Sequence, residues 1–151
     1  MLVMATGSTP VFPGWLKGRD LENVYTIPKV KTYLDDMMKK LEGCQKIVTI
    51  GAGFIGVELS DELKKAGKDV ALVEILPHIL GAAFDEEVAL DAEEALKERG
   101  VQVVTGRKVT EITGNGKVEA VMLDNGEKLE ADAVVLSIGY TPNTALAAKA
   151  G

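Results

Sequence analysis

Three glycines and one glutamate have the types and order of a site for a diphosphate and a ribose. The glycines belong to Gly51-Ala52-Gly53-Phe54-Ile55-Gly56, and Glu74 ends the next apolar segment. In this G-x-G-x-x-G pattern the first glycine permits a tight turn and the second lets phosphates approach the backbone. The third allows a helix to pack closely on a strand. A carboxylate at the place of Glu74 accepts hydrogen bonds from ribose hydroxyls. Together these residues predict a dinucleotide-binding site.

The elements on either side of the glycine loop favour this interpretation. Residues 47–50 form an apolar run that predicts a buried parallel strand, and residues 54–66 have the spacing of a helix. The expected buried stripe of that helix consists of Ile55, Leu59, Leu63 and Ala66. A second strand, 70–73, leads to Glu74. The loop therefore precedes a helix N-terminus, whose free N–H groups and dipole favour phosphate.

The remaining segments alternate between strands and helices and then change to hairpins. Short strands are predicted at 2–5 and 24–27, and Pro28 is placed in the first turn of a helix that ends at Gly43. A further helix follows Asp85, its expected N-cap, and leads to a strand at 101–104. Three hairpin strands are expected at 108–112, 117–123 and 128–131, and a last parallel strand at 133–138. The predicted fold class is α/β: a Rossmann-like parallel sheet with helices on one face and a three-stranded antiparallel meander on the other.

The composition limits the classes of function. The net charge of −6, without a basic cluster, argues against a nucleic-acid partner. The sequence shows no signal peptide and no apolar run of the ~20 residues that a membrane span needs. Its one cysteine, Cys44, excludes an internal disulfide and fits a reducing compartment, so a cytoplasmic location is expected.

Three motifs in order resemble the NAD-binding domain of the flavin-dependent pyridine nucleotide-disulfide oxidoreductases. They are Ala5-Thr6-Gly7-Ser8, then Gly51-Ala52-Gly53-Phe54-Ile55-Gly56-Val57-Glu58, and finally Ile138-Gly139-Tyr140-Thr141-Pro142-Asn143-Thr144. The resemblance covers essentially the whole chain. The middle motif is most similar to the group of NADH oxidases, coenzyme A-disulfide reductases and nitrite reductases.

The resemblance implies a domain that lies within a larger flavoenzyme. In that family the NAD domain is inserted into an FAD domain, to which the Ala-Thr-Gly segment belongs. We therefore expect residues 1–27 to be a remnant or linker of the FAD domain, 28–145 to be the NAD(H)-binding domain, and 146–151 to begin the return. The chain is expected to be an excised middle domain whose Met1 need not be the native start. NAD(H) is the expected cofactor, FAD is expected only in the parent enzyme, and the oligomeric state stays open.

Several site residues have two interpretations at this stage. Glu58 is either a nicotinamide-side residue, as the resemblance implies, or a solvated glutamate near a helix N-terminus. Phe54 either covers the flavin or is buried against the sheet. Gly139 either lets the nicotinamide end approach the backbone or simply ends a strand. No catalytic residue is assigned within the chain itself.

Glu74 favours NADH over NADPH, because its carboxylate would repel a 2′-phosphate and Ile75-Leu76-Pro77 supply no cation. His78 is interpreted as an exposed loop histidine rather than a phosphate ligand. Cys44 is interpreted as structural, because no second cysteine lies near it.

The acidic residues at 85–94 are expected to form a solvated helix face, and no metal site or Ser-His-Asp set is predicted.

Two other functions compete with this assignment. The alternatives are a stand-alone NADH-sensing module and a self-sufficient dehydrogenase. The Ala-Thr-Gly segment argues against the first alternative, because a stand-alone module does not need it. The second alternative is disfavoured because the sequence shows neither a substrate domain nor an acid–base pair.

Overall fold

The structure is a computed structural model that describes residues 3–151. Four helices are present in this range: α1 Lys31–Glu42, α2 Phe54–Lys65, α3 Glu86–Glu98 and α4 Ala145–Ala150. The strands are β1 Ser8–Pro10, β2 Val24–Thr26, β3 Lys46–Ile50, β4 Asp69–Val73, β5 Gln102–Val104, β6 Val109–Thr113, β7 Ala120–Leu123, β8 Lys128–Glu130, β9 Ala133–Leu136 and β10 Tyr140–Pro142.

A five-stranded parallel sheet forms the centre of the fold. Its strand order is β2-β9-β3-β4-β5, and all four pairings are parallel. Strand β9 lies between β2 and β3 although it is the last of these five strands along the chain. The strands β3, β4 and β9 therefore end side by side, with Ile50, Val73 and Leu136 at the carboxyl edge of the sheet.

Alternate residues of these strands divide the core into two layers. Val48, Val73 and Leu136 pack on the face covered by the meander β6-β7-β8. Ile47, Leu72 and Val135 pack on the opposite face with side chains of α1, α2 and α3, including Leu41, Leu63 and Leu96. The predicted fold class, with helices on one face and a three-stranded meander on the other, is confirmed.

The helix boundaries differ slightly from the predicted ones. The first helix begins at Lys31, after the extended residue Val30, so Pro28 precedes the helix instead of lying in its first turn. The predicted stripe of α2 is also partly wrong, since Ala66 is exposed and Ile55 and Leu59 are only partly buried. Leu63 is buried as predicted, and the helix also buries Gly56 and Ser60. The two small residues on this face allow α2 to lie close to the sheet.

The N-terminal segment forms a different strand from the predicted one. Val3–Ala5 are not extended into a strand, and Leu2 lies outside the described residues. Instead, β1 pairs antiparallel with β10, from Ser8 opposite Pro142 to Pro10 opposite Tyr140. Strand β2 is the edge of the main sheet, although it falls on the N-terminal side of the expected boundary after residue 27. That boundary stays a prediction.

Two of the three meander strands, β7 and β8, are shorter than predicted, and β6 is displaced by one residue. Strand β7 starts at Ala120 rather than at residue 117, because the chain turns sharply over residues 114–117. A Cβ added to Gly114 would lie 1.8 Å from the Lys117 carbonyl oxygen, which shows how tight this turn is. Over residues 3–151, no helix is long and apolar enough to cross a membrane.

Candidate dinucleotide site

A cavity of about 540 Å³ lies at the carboxyl edge of the parallel sheet. Its lining brings together residues that follow four different strands: Gly51, Gly53, Glu74, Arg107 and Gly139, with Trp15 from the N-terminal segment. A second hollow, of about 560 Å³, lies at the opposite edge, where Lys46, Asp69 and Gln102 begin their strands. None of the predicted site residues lines this second hollow. Ligands of open α/β sheets bind at the carboxyl ends of the strands, so the first cavity is the candidate site.

The three glycines of the loop have three different surroundings. Gly51 has φ +98°, and a Cβ there would lie 2.6 Å from the Ser137 carbonyl oxygen. A Cβ on Gly56 would lie 1.9 Å from the Gly51 carbonyl oxygen, so the helix approaches the turn too closely for any side chain. Gly53 has φ −73°, and a Cβ there would meet nothing within 4 Å. Gly51 and Gly56 are thus required by the fold, whereas Gly53 borders open space that a ligand can enter.

The N-terminus of α2 opens beside this space. Its N-cap is Gly53, and no side chain of the described residues caps it. The first hydrogen bond of the helix runs from Val57 N to Gly53 O at 3.0 Å. The N–H groups that precede Val57 in the first turn therefore lack acceptors within the helix. Such a terminus attracts an anion.

Glu74 is a nearly buried carboxylate, 9% exposed, that faces the glycine loop. Its Oε2 atom accepts a hydrogen bond from Ala52 N at 2.6 Å, and its Oε1 atom accepts one from Leu76 N at 2.9 Å. A carboxylate offers about four lone-pair positions, so each oxygen can accept one further hydrogen bond. The two hydroxyls of a ribose fit this remaining capacity.

Gly139 lies at the other end of the cavity, after β9. It has φ +113°, and a Cβ there would meet nothing within 4 Å. Its carbonyl oxygen accepts a hydrogen bond from Val11 N at 2.9 Å, which ties the N-terminal segment to this end of the site. Both interpretations of Gly139 fit this geometry: the residue ends the strand in a turn and also leaves its surroundings open.

Phe54 and Glu58 lie on the exposed side of α2. Phe54 is 62% exposed and packs edge-on against Phe84, with 5.7 Å between the ring centroids. The interpretation of Phe54 as buried against the sheet is therefore wrong, since the ring at the first helical position points outwards. Glu58 is exposed and lines a shallow groove with Phe54 and residues of α3. Their roles beside nicotinamide and flavin stay predictions.

His78 is not the exposed loop histidine that was expected. It is partly buried and lies against α3, with its Nε2 atom 3.7 Å from Glu86 Oε1 and its Nδ1 atom 3.8 Å from Glu93 Oε2. Glu93 is itself buried and pairs with Lys97 at 2.6 Å, so it departs from the expected solvated acidic face. The histidine does not line the cavity of Glu74. Among residues 3–151, no cluster of His, Cys, Asp and Glu has a metal-binding arrangement.

Cys44 lies at the opposite edge of the sheet from the glycine loop. It is 5% exposed and belongs to the core on the helical face. Burial raises the pKa of its thiol, and the nearby Asp132 carboxylate raises it further. A protonated, buried thiol is a poor nucleophile, which agrees with the structural interpretation.

The aromatic and basic residues of the cavity lining, three in all, were not predicted from the sequence. Arg107 and Lys108 follow β5, and Trp15 precedes the buried Leu16. Lys108 Nζ lies 5.2 Å from the centroid of the Trp15 ring. The positions of Arg107 and Lys108 could have been predicted, because residues that follow a parallel strand lie at the carboxyl edge of the sheet. The position of Trp15 could not, since it depends on a contact with a strand that is distant in the sequence.

Comparison with known proteins gives a consistent result. The sequence profile described as pyridine nucleotide-disulphide oxidoreductase matches residues 1–151. An NADH oxidase of Methanocaldococcus jannaschii is 38% identical over 154 residues, which cover 99% of this chain and 33% of the relative. The chain spans about a third of the length of such curated relatives.

Two solved structures also resemble the chain closely. The water-forming NADH oxidase from Lactobacillus brevis, solved bound to NADH, superposes with a TM-score of 0.85 at 28% identity, over 95% of this chain and 31% of that one. An FAD-dependent pyridine nucleotide-disulphide oxidoreductase from Desulfovibrio vulgaris superposes with a TM-score of 0.82 at 34% identity, over 97% and 37%.

Proposed function

The chain belongs to the pyridine nucleotide-disulphide oxidoreductase family, and from this premise we propose that it is the NADH-binding domain of an FAD-dependent NADH oxidoreductase. In this function the domain binds NADH and directs the nicotinamide towards a flavin held by a separate domain. NADH supplies the hydride and the flavin accepts it. The residues of this chain contribute binding and orientation.

The observation that carries the proposal is the Glu74 carboxylate facing the glycine loop across one cavity. The order of strands along the carboxyl edge puts Gly139, the glycine loop and Glu74 in a row, since β9, β3 and β4 are neighbours. A diphosphate at the N-terminus of α2 then has a ribose beside Glu74 on one side and the nicotinamide end towards Gly139 on the other. Gly51, Gly53, Phe54, Ile55 and Gly56 would border the diphosphate, and Glu58 the nicotinamide side.

The choice of NADH rests on the charge of Glu74. A 2′-phosphate on the ribose would lie next to the negatively charged Glu74 carboxylate, and the two like charges would repel each other. A ribose hydroxyl in that position would instead donate a hydrogen bond to the carboxylate. The relative solved with NADH supports the same choice.

Calorimetric titration of the purified chain with NADH and NADPH tests this function. We expect NADH to bind, NADPH to bind more weakly, and the protein to be colourless as purified. A protein that binds neither nucleotide would contradict the proposal. A yellow protein with stoichiometric flavin would contradict the assignment as the NADH domain alone.

A further inference from the structure

Trp15 lies in the N-terminal segment, outside the elements that form the parallel sheet, and yet it lines the cavity of Glu74. We propose that the indole of Trp15 stacks on the adenine ring of the nucleotide and that Trp15 is a determinant of its affinity. This inference rests on the proposed function and deepens it, because it assigns the adenine end of the same site.

The position of the adenine follows from the order of the strands. With the diphosphate at the loop after β3 and the ribose at Glu74 after β4, a nucleotide that continues along the same edge has its base beyond β4, towards β5. The cavity residues on that side are Ile75, Leu76, Arg107, Lys108 and Trp15. They combine one large aromatic surface, two aliphatic side chains and two cations, which is the combination that binds a planar, uncharged base next to phosphates.

The segment that carries Trp15 is fixed on both sides. Leu16 is buried in the core under the meander, and Ile112 N donates a hydrogen bond to Lys17 O at 2.9 Å. Gly18 approaches β6 so closely that a Cβ would lie 1.8 Å from the Ile112 carbonyl oxygen. On the other side, Val11 N is bound to Gly139 O. Because its neighbours are anchored, the indole loses little freedom when a base binds to it.

The ring itself is available for contact. Trp15 is 61% exposed, although an indole is among the side chains that folding most readily covers. Lys108 lies over one of its faces, and an aromatic ring has a second face that a base can cover. Phe12, on the same segment, provides a matched control: it is 44% exposed, has its own cation in Arg19 at 4.7 Å, and does not line the cavity.

Trp15 is the one tryptophan of the sequence, so its fluorescence reports on this position alone. We expect ADP-ribose, which carries adenine without nicotinamide, to quench the emission saturably, and nicotinamide mononucleotide to leave it unchanged at the same concentrations. NADH should quench it as well and show sensitised nicotinamide emission. Quenching by nicotinamide mononucleotide but not by ADP-ribose would overturn the assignment to adenine.

Affinities of variants complete the test. Trp15→Ala should weaken ADP-ribose and NADH binding about tenfold, the usual effect of losing one base–aromatic stack. Trp15→Phe should recover part of that loss, and Phe12→Ala should bind like the wild type. Thermal unfolding of each variant checks that the fold is kept. If Trp15→Ala binds NADH as well as the wild type, the inference is wrong while the proposed function stands. If the wild type binds neither NADH nor ADP-ribose, both are wrong.

Discussion

The Glu74 carboxylate holds the Ala52 amide, with 2.6 Å between Oε2 and the Ala52 nitrogen. The acid that follows β4 therefore fixes the turn that follows β3, before any ligand is considered. Each oxygen of this carboxylate can accept one further hydrogen bond, which the proposed function assigns to the ribose hydroxyls. We therefore expect a substitution of Glu74 to affect both the loop and the binding of NADH.

Glu74→Ala should weaken NADH binding by about 1–3 kcal/mol, because the ribose hydroxyls and two backbone amides lose their acceptor. The melting temperature should fall as well, since Ala52 N and Leu76 N are left without a partner. Calorimetry and thermal unfolding measure the two effects. Glu130→Ala, which removes a surface carboxylate paired with Lys46, is the control and should leave NADH binding unchanged. An unaltered NADH affinity in Glu74→Ala would remove Glu74 from the site.

Arg107 should become a phosphate ligand once Glu74 is removed. Both residues line the same cavity, and Arg107 N donates to Glu74 O at 3.0 Å, so their backbones are adjacent. We expect Glu74→Ala to narrow the preference for NADH over NADPH. The double variant Glu74→Ala/Arg107→Ala should then bind NADPH about three- to tenfold more weakly than Glu74→Ala does. The comparison needs both nucleotides at the same ionic strength. A wild type that prefers NADPH would contradict the role given to Glu74.

Gly53→Ala and Gly56→Ala should separate binding from folding. The added methyl at residue 53 projects into open space, so we expect stability to change by less than about 1 kcal/mol and NADH binding to be strongly reduced. The methyl at residue 56 meets the Gly51 carbonyl oxygen, and the overpacking should cost about 1–3 kcal/mol of unfolding free energy. Denaturant unfolding and calorimetry distinguish the two. Equal losses of stability in both variants would refute this division.

Cys44 should not react in the native state. Its thiol is buried at the edge of the sheet opposite the proposed nucleotide site, and burial raises its pKa. A disulfide reagent should modify it at a rate that rises steeply when denaturant unfolds the chain, and Cys44→Ala should bind NADH like the wild type. Rapid modification without denaturant would show a reactive thiol instead.

Asp132 should stabilise the fold at neutral pH and make its stability fall in acid. Its Oδ2 atom accepts hydrogen bonds from Lys46 N and from Gln45 N, both at 2.8 Å, and these lower the pKa of the carboxyl. A lowered folded-state pKa gives stability that is present above the unfolded-state pKa and is lost as the pH falls through the folded-state value. Asp132→Asn should thus lower the unfolding free energy at neutral pH by about 1 kcal/mol, and less in acid. A difference that stays constant as the pH falls would contradict this linkage.

The sequence allowed the sheet and the glycine loop to be predicted for local reasons. The apolar run at 47–50, the glycines and Glu74 follow one another within a single βαβ unit, and parallel strands leave few arrangements for such a unit. The meander was predictable from its turns, since Gly114 and Gly126 break the alternating segments. These features depend on neighbours in the chain.

Contacts between distant residues could not be predicted in the same way. The pairing of β1 with β10 joins short segments whose sequences show no strand periodicity. His78 and Glu93 were expected in solvent, because the fold of the loop before α3, which brings them together, has no sequence signature. The segment that carries Trp15 is held beside the cavity by the contacts of Leu16, Lys17 and Gly18 with the meander and β6. In each case a tertiary contact decides the environment.

The pairing of β1 with β10 also determines where the chain enters and leaves the fold. Asn143 N donates to Gly7 O at 3.0 Å, and the Asn143 side chain bonds Thr6 and Thr9. Entry and exit are therefore separated by only one inter-strand spacing, roughly 5 Å. A domain whose two ends are adjacent can be inserted into a loop of another domain. The ends of that loop then stay close together, so the insertion costs little loop-closure entropy.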